Sequence, residues 1–184
     1  PITDGALIQA KGICYSVTEL LGQDKEKADR FTNGSFVTIY LSPKDYHRIH
    51  TPLEGQVLSS TYVPGTLFPV NPFGVRAVKG LFARNERLIT YLASKAGLIA
   101  LVKVGATIVG SVKVNYGDET TNLPGGKLAM REYSPSPCLG KGEELGRFEL
   151  GSTVILLFEP GRVQFNVREG ERVLMGQQIG EIKP

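Results

Sequence analysis

Arg147-Phe148-Glu149-Leu150-Gly151-Ser152-Thr153-Val154-Ile155 reads as strand, small-residue break, strand. The break is Gly-Ser, and apolar residues on both sides should bury it. Gly151 can take backbone conformations that a Cβ forbids. Ser152 directly after it places a hydroxyl beside the Gly151 carbonyl. Attack by Ser152 Oγ on that carbonyl closes a five-membered ring and shifts the acyl group from nitrogen to oxygen. Elimination of the ester across Ser152 Cα–Cβ then cuts the chain. Hydrolysis of the dehydroalanine leaves a pyruvoyl group on the new N-terminus. Gly-Ser-Thr by itself is also an ordinary bend at a strand end, so the rest of the chain has to decide between the two.

Working outward, the C-terminal flank Val154–Phe158 (VILLF) is an apolar strand. Pro160-Gly161 turns it, and Arg162–Val167 alternates. The Gly170, Val173, Gly176 spacing resembles the tight turns of lipoyl-type and hybrid β-barrels, without a lysine at the tip for a swinging arm. Upstream, Leu88–Leu92 and Leu98–Val104 flank Lys95-Ala96-Gly97 and read as a hairpin. Gly105–Val114 is again strand-like. Ala6–Lys11 and Ser35–Leu41 alternate, the second as a half-buried strand does, and Gln56–Val63 reads as another strand. Ser16-Val17-Thr18-Glu19 has the spacing of a capping box, with Gly22 as the stop, and Gln23–Phe31 holds a further helical turn. Asn33-Gly34 is a turn signal. Leu67–Gly80, Gly117–Gly126 and Ser134–Gly142 read as loops, the last of them mobile. The predicted fold is mainly β, α+β with few short helices. Its core is a compact β-barrel or sandwich resembling hybrid-barrel folds.

The chain has 184 residues, 41% hydrophobic and 21% charged, which is ordinary for one globular domain with a real core. Lys plus Arg number 21 against 18 Asp plus Glu, a net charge of +3 that suits an anionic surface or ligand without demanding one. No basic run with interleaved aromatics is present, so nucleic acid is not an expected partner. Cys14 and Cys138 form neither a metal nor a redox pair by spacing, and a reducing compartment is expected. Leu98–Val114 is the most apolar stretch. Lys103, Gly105 and Gly110 interrupt it, and it reads as two buried strands rather than a membrane span. The chain begins with Pro1, and further sequence is expected upstream.

Ser42-Pro43-Lys44-Asp45-Tyr46-His47-Arg48-Ile49-His50-Thr51-Pro52 holds the only two histidines. Ser42 suits an N-cap, Pro43 a first helical position and Asp45 a first turn. On a helical turn His47 and His50 share a face, an arrangement for acid–base work, anion binding or metal ligation. No third ligand accompanies them, and no metal site is expected. Solvated turn residues are the alternative. Arg84 and Arg87 are candidates for phosphate or anionic lipid, or for surface ion pairs. Ser111 and Thr107 either line a site or pack in a sheet, and Asp45 reads as a turn-stabilising residue.

The chain resembles the bacterial phosphatidylserine decarboxylases, which are pyruvoyl-dependent enzymes. The resemblance is carried by Tyr40–His50, Tyr62-Val63-Pro64-Gly65, Leu81–Arg87, Val104–Ser111, Gly146-Arg147-Phe148 and Leu150–Ile155, in order along nearly the whole chain. It implies that phosphatidylserine is converted to phosphatidylethanolamine and CO2 through a Schiff base to a pyruvoyl group made from Ser152. The self-cleavage at Gly151–Ser152 would divide one catalytic domain into a β part, 1–151, and an α part, 152–184, which stay together. His50 would belong to an Asp–His–Ser relay as base toward Ser152, while His47 would serve the substrate. The family's relay aspartate lies farther upstream of the first strand than Asp4 does. It is expected before residue 1, with Asp4 the less favoured candidate. A homodimer bound peripherally to the cytoplasmic side of the bacterial inner membrane, on anionic lipid, is also implied. Two other readings remain open: a non-catalytic β-barrel binding module, and a histidine phosphocarrier of the hybrid-barrel type.

Overall fold

The computed structural model describes residues 1–10, 13–107, 111–149 and 152–183. Leu150 and Gly151 of the break, and Ile108–Gly110, lie outside the described residues. β1 (Ala6–Ala10) and β2 (Ile13–Ser16) form an antiparallel pair. α1 (Val17–Leu20) starts with the expected capping box: Ser16 Oγ accepts from Thr18 N, and Glu19 Oε2 accepts from Ser16 N. α2 (Lys25–Phe31) follows, capped by Asp24. Val17, Leu20, Leu21, Ala28 and Phe31 from these helices enter the core. Next come β3 (Ser35–Leu41), β4 (Arg48–His50), β5 (Gly55–Val63), α3 (Pro72–Ala77), α4 (Leu81–Arg84), β6 (Arg87–Ser94), β7 (Gly97–Val104) and β8 (Val112–Val114). β9 (Ala129–Glu132), β10 (Cys138–Leu139), β11 (Glu144–Phe148), β12 (Ser152–Phe158), β13 (Val163–Phe165) and β14 (Gly180–Ile182) complete the chain.

The main sheet has seven strands in the order β10-β5-β6-β7-β12-β3, with β9 beside β10 on β5. β12 lies between β7 and β3, with Ser152 opposite Leu41 and Phe158 opposite both Ser35 and Ile99. Buried strands on both sides explain why VILLF and LIALV read as continuous apolar runs rather than alternations. Ile155, Leu157, Ile99, Leu101 and Val102 are fully buried, each stabilising the fold by about 1.5–3 kcal/mol. β4, β11 and β8 form a separate three-stranded sheet, and β13 pairs with β14. Gly146 at the centre of β11 is dictated by close approach, because a Cβ there would overlap the Lys113 carbonyl oxygen of β8.

One buried charge interrupts the apolar face of β7. Lys103 is 0% exposed, and its Nζ donates to Thr90 Oγ1 and to the Leu101 carbonyl. Thr90 Oγ1 in turn meets the Tyr116 hydroxyl at 2.5 Å. Burial pulls the Lys103 ammonium down to about 7, with Glu119 pulling in the opposite direction.

The structure corrects several expectations. Among the described residues the sheets are open: β3 pairs only with β12, and no strand joins it to β9 or β10, so there is no closed barrel and the architecture is mainly β with a few short helices. Leu67–Gly80 contains α3, because Asn71 Oδ1 accepts from Gly74 N and Pro72 occupies the first helical turn, where a missing N–H costs nothing. Ser134–Gly142 is tied down: Val57 N donates to the Pro137 carbonyl, β10 pairs with β5, and Thr51 Oγ1 donates to the Gly140 carbonyl. Of Gly105–Val114, only Val112–Val114 forms a described strand. No helix forms between Ser42 and Pro52.

Candidate active site

The break falls where the chain changes sheets. β11 ends at Phe148 in the small sheet, and β12 begins at Ser152 in the large one. A second crossing runs beside it. β3 ends at Leu41, opposite Ser152, and the chain turns back to β4 with Phe148 N donating to the His47 carbonyl at 2.9 Å. Residues 42–47 and the break therefore connect the same two sheet ends in opposite directions. Asp45 holds the first of these crossings: Ser42 N and Ser42 Oγ both donate to its Oδ2, at 2.8 and 2.7 Å. These Ser42 hydrogen bonds keep the Asp45 carboxyl below the usual carboxylate range. Asp45 is thus the turn residue expected, although the turn does not continue as a helix.

Without that helix the two histidines do not share a helical face. Register places His47 against Phe148, at the break end of β11, and His50 opposite Glu144, at the far end. His50 Nδ1 lies 2.7 Å from the Gly142 carbonyl oxygen. A carbonyl only accepts, so Nδ1 carries a proton, and in a neutral ring Nε2 would be the accepting nitrogen. The Tyr46 hydroxyl is hydrogen-bonded to Nε2 at 2.8 Å, with the two rings stacked 5.7 Å apart. Glu144 receives both carboxylate bonds from Arg48 Nη1, at 2.8 and 2.7 Å, and this partner holds its carboxyl below the usual range. His47 differs in having a buried Nε2 with no hydrogen-bond partner among the described residues. Thr153 Oγ1, next to the break, is also buried and has no hydrogen-bond partner among the described residues.

The remaining candidates divide. Ser111 reaches the site through its backbone, its carbonyl accepting from Glu149 N at 2.9 Å just before the break. Arg84 is exposed and lies over the Phe68 ring, 4.9 Å from its centroid. Arg87 has a structural task instead: it is 2% exposed, and its Nε, Nη1 and Nη2 donate to the carbonyls of Leu20, Asn85 and Glu19. It closes the C-terminal end of α1, and burial lowers its guanidinium to about 10. Asp4 sits exposed on a tight turn bridged by Thr3 and Ala6, with its amide toward Asn33 Oδ1, and no hydrogen bond joins it to His50.

The family model described as phosphatidylserine decarboxylase matches residues 1–181. The chain belongs to the phosphatidylserine decarboxylase family. It is 51% identical over 185 residues to a phosphatidylserine decarboxylase proenzyme of Brevibacillus brevis, covering 99% of this chain and 66% of that protein. A proenzyme of the same name from an Anaeromyxobacter species is 52% identical over 180 residues, covering 96% of this chain and 64% of the relative. One from Myxococcus xanthus is 51% identical, covering 97% and 64%. The chain thus spans just under two-thirds of the length of these relatives.

Around the candidate site, the reading of residue types missed several structural features. Tyr46 and Gly142 hold His50, a long-range arrangement that no local spacing announces. Asn85 is fully buried and donates to the carbonyls of Phe68 and Gly105, pinning the loop after β5 to the end of β7. Glu86, 6% exposed, accepts from the Tyr62 hydroxyl and from Asn122 N, and its carbonyl takes Gly105 N. Both residues stand at the sheet end where β12 begins, two strands away from it. Among the described residues no helix is long and apolar enough to cross a membrane.

Proposed function

We propose that this chain is the catalytic part of a phosphatidylserine decarboxylase that processes itself at Gly151–Ser152 and carries a pyruvoyl group derived from Ser152. The observation that carries the reading is the Gly-Ser break at a sheet-to-sheet crossing, with the histidine segment crossing beside it. The two parts, 1–151 and 152–184, stay joined because β12 is paired on both sides with strands from the first part.

In self-cleavage His50 is the base. Its Nδ1–H meets the Gly142 carbonyl here, and Nε2, now facing the Tyr46 hydroxyl, is the nitrogen that would take up the Ser152 Oγ proton once that hydroxyl gives way. The Ser152 oxygen bonds to the Gly151 carbonyl carbon, the peptide C–N bond breaks and its nitrogen takes a proton; loss of the Ser152 Cα proton with cleavage of the Cβ–O bond then releases the Gly151 carboxylate, and water displaces the nitrogen as ammonia to leave the ketone. An aspartate supplied by sequence beyond residue 1 would complete the relay, with Asp4 the less favoured source. When present, the pyruvoyl group supplies an electrophilic ketone that takes the substrate amine and accepts the electron pair left as CO2 departs. The buried His47 Nε2, without a partner among the described residues, suits this: it can hold a proton toward the substrate and deliver it to the carbon that lost CO2. Ser111 lines the same end, and Arg84 is the exposed cation for a phosphate.

The substrate is a lipid, and the enzyme meets it peripherally at the cytoplasmic face of an anionic membrane, as a homodimer. Leu174 and Met175 support this contact: they are 67% and 54% exposed on a turn beside Arg172. The test is decarboxylation of phosphatidylserine vesicles by the full-length protein and its Ser152→Ala variant. CO2 release by the first alone is expected; release by Ser152→Ala at the same rate refutes the assignment.

A further inference from the structure

Resting on the reading that the substrate is a membrane lipid, we propose that α3 docks this chain on an anionic bilayer, with the Phe73 ring inserted among the lipids and Arg76 and Lys79 on their phosphates. The helix keeps its small residues inside and its aromatic outside. Gly74 is buried, because a Cβ there would overlap the Pro69 carbonyl oxygen, and Val75 and Val78 pack against the core. Phe73 is instead 74% exposed, more than any other large apolar side chain among the described residues. Phe73, Arg76 and Ala77 stand at i, i+3 and i+4 and make one exposed face.

The ring is held out on a fixed support. Asn71 caps the helix, Gln9 Nε2 of β1 donates to the Val75 and Val78 carbonyls at 2.7 and 2.6 Å, and Gln9 Oε1 accepts from Leu81 N at 2.7 Å. Charge selects the partner. From Gly55 to Asn85 the chain has no acidic residue and three cations, Arg76, Lys79 and Arg84, which equal the net charge of +3 of the whole chain. All three are exposed, and among the described residues none of them forms an ion pair. A single ring among unpaired cations fits the boundary between acyl chains and phosphates, where an apolar face sinks roughly 5–10 Å and each nearby cation is favoured. It does not fit the apolar core of a protein interface, where lysine is depleted, and a two-fold contact would set these cations against their own copies.

The surface stands beside the candidate site. Asn85 Nδ2 donates to the carbonyls of Phe68 and Gly105, both at 2.8 Å, and so ties the β5–β6 connection that carries α3 to the end of β7, where Val104 pairs with Thr153. Arg172 adds to the Ser42 hydrogen bonds in holding the Asp45 carboxyl down, which puts the exposed Leu174 and Met175 at this sheet end as well. A chain docked by this end takes the lipid headgroup at the bilayer surface and leaves the acyl chains in place.

The experiment uses the full-length protein and vesicles of phosphatidylcholine and phosphatidylglycerol, which offer anionic lipid but no serine headgroup. Residues 1–184 contain no tryptophan, so the emission of Phe73→Trp minus that of wild type reports position 73. It should shift to the blue on vesicles and be quenched by lipids brominated near the top of the acyl chains. Phe73→Ser should weaken vesicle binding by about 10-fold or more, and Arg76→Gln and Lys79→Gln by about 5-fold each at low salt. Phe73→Ser should also lower turnover of phosphatidylserine in vesicles, while a short-chain phosphatidylserine dissolved below its micelle concentration is turned over at the wild-type rate. An unquenched position 73 on vesicle-bound protein overturns the proposal and gives the surface to an upstream segment or, where Phe73→Ser changes the oligomeric mass, to a second copy. Equal loss on vesicles and on dissolved substrate also overturns it. Quenching at position 73 with no turnover of either substrate by wild type overturns the reading of the substrate and sustains the docking surface.

Discussion

Replacing Lys103 by Met tests how the main sheet holds a charge. The ammonium is fully buried and held at about 7, against 10.5 for an exposed lysine. A base whose folded value lies below its unfolded value binds fewer protons when folded, so its burden on stability is complete below pH 7 and is relieved as pH rises toward 10.5. The limiting slope is about 1.4 kcal/mol per pH unit, and between pH 7 and 9 the gain works out at about 2 kcal/mol. The buried and half-buried tyrosines act oppositely but later. Tyr15, Tyr62, Tyr91, Tyr116 and Tyr133 are all raised, chiefly by burial, so the stability they contribute is lost only as pH passes their unfolded value of 10.0. The assay is urea unfolding at pH 7, 8 and 9 of the Ser152→Ala protein, with and without Lys103→Met. The lysine protein should gain about 2 kcal/mol across this range, and the methionine protein should stay nearly flat and be the more stable of the two at pH 7. Parallel pH profiles would refute the reasoning, because they would mean that Lys103 keeps its proton with little penalty.

Arg87→Met should destabilise by about 3–5 kcal/mol, since it strands the buried carbonyls of Leu20, Glu19 and Asn85, and chemical unfolding would measure it. Gly146→Ala should cost about 1–3 kcal/mol through overlap with the Lys113 carbonyl and slow the appearance of cleaved chain, as followed by electrophoresis. His47→Ala should lower turnover on phosphatidylserine by about 10²-fold or more while leaving processing closer to normal; equal loss of both would put His47 in the cleavage step.

The legible parts of the fold were those whose signal is local. The capping box at Ser16 and Glu19 closes within α1, the hairpin at Ser94–Gly97 is a turn between two apolar runs, and β12 announces itself by five consecutive large apolar residues. The misread parts depend on distant partners. Ser42, Pro43 and Asp45 meet every local condition for a helix start, yet Asp45 bonds back to Ser42 and the following residues pair with β11, more than ninety positions away. β9 is exposed throughout and carries no periodic signal; only β5 defines it. Prolines marked 67–80 as a loop although Pro72 begins α3. Arg87 reads as a surface charge until α1 is seen to end against it. At the candidate site, Ser152 and the histidine pair are proposed from residue type, order and the family resemblance. Tyr46, Gly142 and the paired crossings are not, because they exist only once β3, β4, β11 and β12 have assembled.

Intact mass of the full-length protein under denaturing conditions, before and after borohydride, tests the central claim most directly. The expected result is two chains divided between Gly151 and Ser152, the C-terminal one gaining two mass units as its ketone is reduced. A single uncut chain that decarboxylates phosphatidylserine at full rate would contradict it.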